Sequence, residues 1–395
     1  MAPRDPVAVV LPWYGPDTAG GAETHARQLV GALHAAHVAV EVWTTTARDA
    51  GAPVEPYYPA GDTHLDGVRV RRFPATRGDL PAIVRRAPQR FGLHRFPHHE
   101  LNLLRSLTGS DALLERLAVE RASRRWIFFL YAFPLSFFGA MLAGSRGYLV
   151  PCLHDEPYAR YSTTRSLLRQ VRRVLANSAP EADLIRRLAD LPEERCTVVG
   201  EGIDLSRRGN GARFRQAWEL SGTLLYFAGR RDHSKNFPLL LAYAEEYWAR
   251  HGFVFTLLAS GPGPLTIPCA LQSGLIDLGF LPIEEKHDAY AAADLFCMSS
   301  LLESYSIAIM EAWQQGAPVL VHGDCAVTVD QCRRSHGGLW FRSYGEFDAA
   351  LTLLLRRPDL RRALGEQGRR WVQAECRWED VARRFVAAVL EDEAS

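Results

Sequence analysis

Leu302-Glu303-Ser304-Tyr305-Ser306-Ile307-Ala308-Ile309-Met310-Glu311 sets two carboxylates with seven residues between them. The apolar run before it, 294–300, reads as a strand that ends in a serine-rich turn. Ser306 is placed to cap the helix that follows, and Gly316-Ala317-Pro318 ends it. Amide groups at such a helix start attract a diphosphate. Glu303 then lies beside the anion, and Glu311 lies just over one turn along the helix. Carboxylates in those places accept hydrogen bonds from hydroxyls, which suits a sugar at one end and a ribose at the other.

The strand–turn–helix pattern extends both ways from this segment. Buried strands are expected at 7–11, 38–45, 68–73, 126–131, 148–153, 173–176 and 196–199, with helices such as 22–34 and 181–189 between them. The rhythm restarts at 223–228 and continues through 254–259, 276–278, 295–298, 319–321 and 339–341. The intervening 200–222, rich in Gly, Arg and Ser, reads as a linker. The fold class expected is α/β: two doubly wound, Rossmann-like domains facing a central cleft, with ligands at the C-terminal ends of the strands. The apolar run 126–143 has the composition of a short membrane span. Strand chemistry up to Tyr131, then Pro134 opening a helix that Gly144 closes, makes it a core segment instead.

A length of 395 residues fits two domains, and a formal net charge of +1 leaves no field to draw nucleic acid or an anionic membrane. The seven cysteines form no CxxC pair and read as reduced, mostly buried thiols of a cytoplasmic protein. Residues 1–6 run straight into a strand, so no signal peptide is expected. Segment 76–111 breaks the rhythm, with Arg85, Arg86, Arg90, Arg95, His94, His98 and His99 among Phe and Leu. Its histidines have no compelling metal-ligand spacing, and it reads as a mobile, partly helical excursion near the cleft.

Three further places carry chemistry. Gly20-Gly21-Ala22-Glu23 lets backbone approach a phosphate at a helix start, although no GxGxxG is present. Gly229-Arg230-Arg231-Asp232-His233-Ser234-Lys235-Asn236 follows a strand and brings the cations Arg230 and Lys235 to its C-terminal end, where they can neutralise a diphosphate leaving group. His154-Asp155-Glu156-Pro157 ends another strand, and a neutral His there can bond a sugar hydroxyl. Gly261-Pro262-Gly263-Pro264 only shapes a loop.

In this order, these pieces resemble the retaining nucleotide-sugar glycosyltransferases of the GT-B fold, glycosyltransferase family four. Ala176-Asn177-Ser178, Val199-Gly200-Glu201-Gly202-Ile203-Asp204, Gly279-Phe280-Leu281 and Arg377-Trp378 add to the likeness, which covers nearly the whole chain. The resemblance implies an acceptor-side domain 1–205, to which 377–395 returns as the last helix, and a donor domain 206–376. It implies that Arg230 and Lys235 hold the donor diphosphate and that Glu303 lies beside the donor sugar. The amides of Ser304, Tyr305 and Ser306 would receive sugar hydroxyls and phosphate, and Glu311 would hold the ribose. Gly20 and Gly21 would approach the diphosphate, and His154 the reacting sugar. Ser306 stands where glycine is frequent, and Glu201 where Asn is frequent, so Glu201 is expected to face away from the diphosphate or to read the acceptor.

The function implied is retaining transfer of a hexose-type sugar to an acceptor hydroxyl in polysaccharide, lipopolysaccharide or glycosylated-metabolite biosynthesis. No cofactor and no metal is expected. Partners are the nucleotide-sugar donor and a carbohydrate, lipid-linked or small-molecule acceptor, with weak peripheral contact at the inner face of the membrane and no nucleic acid. Alternatives are a GT-B sugar-nucleotide epimerase, a phosphorylase, or a non-catalytic nucleotide-sugar-binding relative. Base recognition is expected through backbone at 278–281.

Overall fold

Val7–Val10 (β1) is buried at every position, as a strand covered on both faces must be. Its side chains alternate between two cores: Ala8 and Val10 enter one, Val7 and Val9 the other. The computed structural model describes residues 5–18, 20–49, 55–267 and 271–391, and the chain divides into two units. The first is Met1–Gly202 with Trp378–Ser395, and the second is Ile203–Arg377.

Around β1 the first unit builds a sheet from Val40–Thr45 (β2), Gly61–Leu65 (β3), Val68–Phe73 (β4), Arg125–Phe129 (β5), Gly147–Val150 (β6), Arg173–Ala176 (β7) and Cys196–Val198 (β8). The order is β3-β4-β2-β1-β5-β6-β7-β8, and only β3 pairs antiparallel among the described residues. The sequence reading missed β3. It is a largely exposed edge strand, joined to β4 through Asp66 and Gly67, both at positive φ. Helix Pro134–Ala143 is almost wholly buried in the core that Trp126 and Phe128 also enter, which accounts for the membrane-like run. Among the described residues no helix is long and apolar enough to cross a membrane. The last helix, Trp378–Leu390, buries Val381, Ala382, Phe385, Ala388 and Val389 in the opposite core.

Segment 76–111 is better anchored than a mobile excursion. A bridge between Thr76 and Gly109 closes its ends, and Leu80, Val84, Phe91, Leu101 and Leu104 join the core. Its helix His98–Ser106 contributes Glu100, which accepts from the amides and hydroxyls of Ser162 and Thr163 at the start of helix Ser162–Gln170.

The second unit is a six-stranded sheet of Leu224–Ala228 (β9), Thr256–Ser260 (β10), Leu275–Gly279 (β11), Leu295–Met298 (β12), Val319–His322 (β13) and Gly338–Phe341 (β14), in the order β11-β10-β9-β12-β13-β14. Every pairing described in it is parallel. The linker reading of 200–222 needs correction, because Gly211–Ala217 is a helix of this unit. Asn210 caps it, accepting from the Arg213 amide at 2.9 Å. Gly209 and Gly211 are glycines because a Cβ at either would strike the backbone of helix Ile283–Ala292. Six cysteines (152, 196, 297, 325, 332 and 376) are free and buried, while Cys269 and residues 1–4 lie outside the described residues.

Candidate functional site

In the second unit β9 is the first strand of the sheet, and later strands lie to both sides of it. β9 and β12 are therefore the neighbours at which the strand order reverses. Loops leaving the C-terminal ends of two such strands diverge and leave room for a ligand. Lys235 follows β9 and Glu303 follows β12, and Lys235 Nζ donates to Glu303 Oε1 at 2.6 Å. The lysine is about a quarter exposed and the carboxylate nearly buried.

Local bonds fix the lysine. Asp232 caps the single turn His233–Lys235, accepting from the amides of Ser234 at 3.0 Å and Lys235 at 3.3 Å. Asn236 Nδ2 donates to the Ser299 carbonyl at 3.2 Å, and Ser299 Oγ donates to the Lys235 carbonyl at 3.0 Å, so the two loops are stitched together. The root of the β9 loop is held by Arg231, which was passed over in the sequence. It is buried and bonds Asp277 Oδ2 at 2.9 Å and the Gly263 carbonyl at 3.3 Å. Gly261, at φ 130°, lets the β10 loop approach Gly229 so closely that a Cβ would collide with its carbonyl. Arg230 stands on the same β9 loop. Its exposed guanidinium lies 3.3 Å from Asp232 and donates to Ser234 Oγ at 2.7 Å, and bonds neither Glu303 nor Glu311.

Ser304, Tyr305 and Ser306 are buried in the turn before helix Ile307–Gln315. Ser306 occupies the N-cap position, but its side chain makes no capping hydrogen bond, which corrects the capping role expected of it. Its φ of −142° is extended backbone open to any residue, so the serine in place of glycine causes no strain. The Tyr305 hydroxyl instead anchors the turn on Cys376 Sγ at 3.2 Å. Glu311 lies in the second turn of the helix, where Lys286 Nζ donates to its Oε1 at 2.7 Å. Cys325 precedes helix Ala326–Ser335 near the other acid. Burial, and then the charge of Glu303, push its thiol above the ordinary range. Lys286 and Cys325 carry no local sequence signal, because their partners are distant in the chain.

In the first unit Gly20 (φ 147°) precedes helix Gly21–Ala35, and space beside Gly21 is open where a side chain would stand. The Glu23 carboxylate of this motif accepts from the Trp13 indole. His154 follows β6 and is about one-third exposed, with Nδ1 3.5 Å from Glu156 Oε1. The Tyr131 hydroxyl donates to that oxygen at 2.7 Å. Burial would raise Glu156, but bonds from His154, Tyr158 and Tyr131 win and hold it below the usual carboxylate range. Glu201 is buried against His25, with Oε1 3.4 Å from Nδ1.

The second unit thus offers two carboxylates, each fastened by a lysine, at the end of a parallel sheet. Such a set can bind hydroxyls through the acids and phosphate through the cations. Among the described residues no group of three or more metal-ligating side chains comes together.

Two family models match the chain: Glycosyltransferase Family 4 over residues 19–207 and Glycosyl transferases group 1 over 211–371. The chain is 28% identical over 401 residues to the D-inositol 3-phosphate glycosyltransferase of Rhodococcus erythropolis, covering 93% of this chain and 86% of that protein. Against the Rhodococcus opacus protein of the same name it is 31% identical over 182 residues, covering 42% of this chain and 41% of that one. Its fold is similar to sucrose-phosphate synthase of Thermosynechococcus elongatus, with a TM-score of 0.71 at 18% identity over 97% of both chains. It is also similar to Anabaena Alr3699/HepE in complex with UDP and glucose, with a TM-score of 0.68 at 14% identity over 98% of this chain and 99% of that one. At those identities the two structures speak for the fold alone.

Proposed function

This chain belongs to the group 1 glycosyl transferases of the GT-B fold and is a glycosyltransferase, and we propose that it moves a hexose-type sugar from a nucleoside-diphosphate sugar to an acceptor hydroxyl with retention at the anomeric carbon. The observation that carries this reading is the Lys235–Glu303 pair at the strand-order reversal of the second unit.

In the reading, the bond from the anomeric carbon to the diphosphate oxygen breaks as the acceptor oxygen bonds the same face. The acceptor's proton passes to a departing phosphate oxygen. Negative charge grows on the leaving group, and a preorganised cation there lowers the barrier. Lys235 is that cation, held by Glu303, which also receives donor-sugar hydroxyls. Arg230 is the second. Its exposed pairing with Asp232 is worth little, so re-aiming it at a diphosphate costs little. The amides of Ser304, Tyr305 and Ser306 receive sugar and phosphate oxygens, and Glu311 holds the ribose. Gly20 and Gly21 admit the diphosphate, and His154, set by Glu156, orients the reacting sugar.

Positive charge from these side chains makes a metal ion unnecessary, so turnover is expected to survive a chelator. We place the activity in the cytoplasm, at the inner face of the membrane where the acceptor is lipid-linked. The acceptor belongs to polysaccharide, lipopolysaccharide or glycosylated-metabolite synthesis. The named relatives add a phosphorylated inositol to the acceptors worth assaying.

A panel of UDP-, GDP-, ADP- and dTDP-sugars tests the reading. One donor should raise the melting temperature, release nucleoside diphosphate slowly without acceptor and faster with one, and give a product of unchanged anomeric configuration by NMR. Interconversion of donor sugars without acceptor would instead indicate an epimerase. Binding with no release would indicate a non-catalytic relative.

A further inference from the structure

Two adjacent strands of the first unit end in backbone that side chains seldom adopt. Leu130 follows β5 at φ 69°, and Cys152 lies just past β6 at φ 50°. Both are left-handed conformations, which cost a residue with a Cβ energy and persist only where the surroundings hold them. The first turn leads to Tyr131 and the second to His154, and both side chains approach Glu156 Oε1. Glu181 holds the second turn. It is buried at the start of helix Ala179–Ala189, whose N-cap Ser178 accepts from its amide at 3.3 Å. Its two oxygens are divided between two strand ends. Oε1 accepts from the Leu153 amide at 2.5 Å, past β6, and Oε2 from the Asn177 amide at 2.6 Å, past β7. Asn177 Nδ2 reaches Cys152 Sγ at 3.6 Å and ties the same turn a second time. A buried amide without an acceptor is costly, so Leu153 stays where the carboxylate is. His154 is the next residue, and its carbonyl accepts from the Glu156 amide at 2.9 Å. Glu181 therefore reaches His154 through the backbone.

We propose that Glu181 is a positioning residue of the transfer reaction: by holding the Leu153 amide it fixes the turn from which His154 meets the reacting sugar. The proposal rests on the reading of His154 as the group that orients that sugar. In the same reading the acids and the lysine that hold the donor belong to the second unit. A displaced His154 should then lower turnover and leave donor KM nearly alone. Gln at 181 keeps the shape but has one oxygen for two amides, and its NH2 group opposes the other donor. Asp keeps the charge and shortens the reach by one methylene.

The test is a double-mutant cycle on the sugar nucleotide of the UDP-, GDP-, ADP- and dTDP-sugar panel from which the wild type releases nucleoside diphosphate fastest without acceptor. Wild type, Glu181→Gln, His154→Ala and the double variant are compared, with Glu181→Asp run in parallel in both backgrounds. Release at saturating donor and donor KM are measured where circular dichroism shows each variant folded. With His154 present, Glu181→Gln and Glu181→Asp should each lower kcat about tenfold, as a small misplacement of a reacting group does, with donor KM within about twofold. In the His154→Ala background the same substitutions should cost less than about twofold, because the group they position is gone. An equal loss in both backgrounds, or a kcat that neither substitution lowers, overturns the inference and leaves the His154 reading standing. If His154→Ala turns over as the wild type does, or the wild type releases nothing from any donor, the His154 reading fails and the inference with it.

Discussion

His25 is buried with no hydrogen-bond partner for either ring nitrogen among the described residues, although Glu201 Oε1 lies 3.4 Å from Nδ1. Rings of Phe129, Trp378 and Phe385 enclose it. Burial pulls its pKa down to about 3 from an ordinary 6.5. Above pH 6.5 the ring is neutral in both folded and unfolded chains. As pH falls below 6.5 only the unfolded chain takes the proton, so stability is lost down to about pH 3, at ~1.4 kcal/mol per pH unit. His25→Phe, which keeps the ring, should remove that slope in urea unfolding at pH 7 and pH 5; an unchanged slope would place the effect elsewhere. At this scale the sequence shows residue types but not partners. Glu201 stands out as an acid before Ile203-Asp204, yet nothing near it in the chain points to His25. The same holds for Lys286 on Glu311 and Asp277 on Arg231, pairs made only when strands bring distant loops together. That Lys235 and Glu303 each follow a strand was legible, though their direct bond was not.

Helix Ser162–Gln170 begins at Tyr161, which offers no side-chain cap, and Glu100 of another helix does the capping. Four bonds converge on that carboxylate, two of them from amides, at 3.0 Å from Ser162 and 2.8 Å from Thr163. Glu100→Ala should lower unfolding free energy by ~2–3 kcal/mol, the scale of a lost charged acceptor above buried donors. A loss under ~0.5 kcal/mol in denaturant titration would mean that water replaces it fully. Elements with uninterrupted apolar runs, such as β9 and β12, were legible to within a residue or two because burial on both faces leaves a continuous signal. β3 was missed because Gly61-Asp62-Thr63-His64-Leu65 is polar and exposed, although the Asp66-Gly67 turn was a readable hairpin sign. Helix Gly211–Ala217 was hidden because glycines required for close packing look like linker glycines.

Each unit has its own pair of cores on the two faces of its sheet, which is why the doubly wound class could be read from periodicity alone. Lys235, Glu303, Lys286 and Glu311 all belong to the second unit. Donor nucleotide should therefore slow amide exchange at 229–236 and 299–311, and exchange unaltered there at saturating nucleotide would count against the donor site. The most direct measurement is turnover, followed as nucleoside diphosphate released from the cognate nucleotide sugar by wild type and Lys235→Ala at matched thermal stability. The expected result is a fall in kcat equivalent to ~2–4 kcal/mol of barrier, or roughly 30- to 1000-fold, as for loss of other preorganised donors to developing charge. A kcat within about twofold of wild type would contradict the assignment of Lys235 to the leaving group.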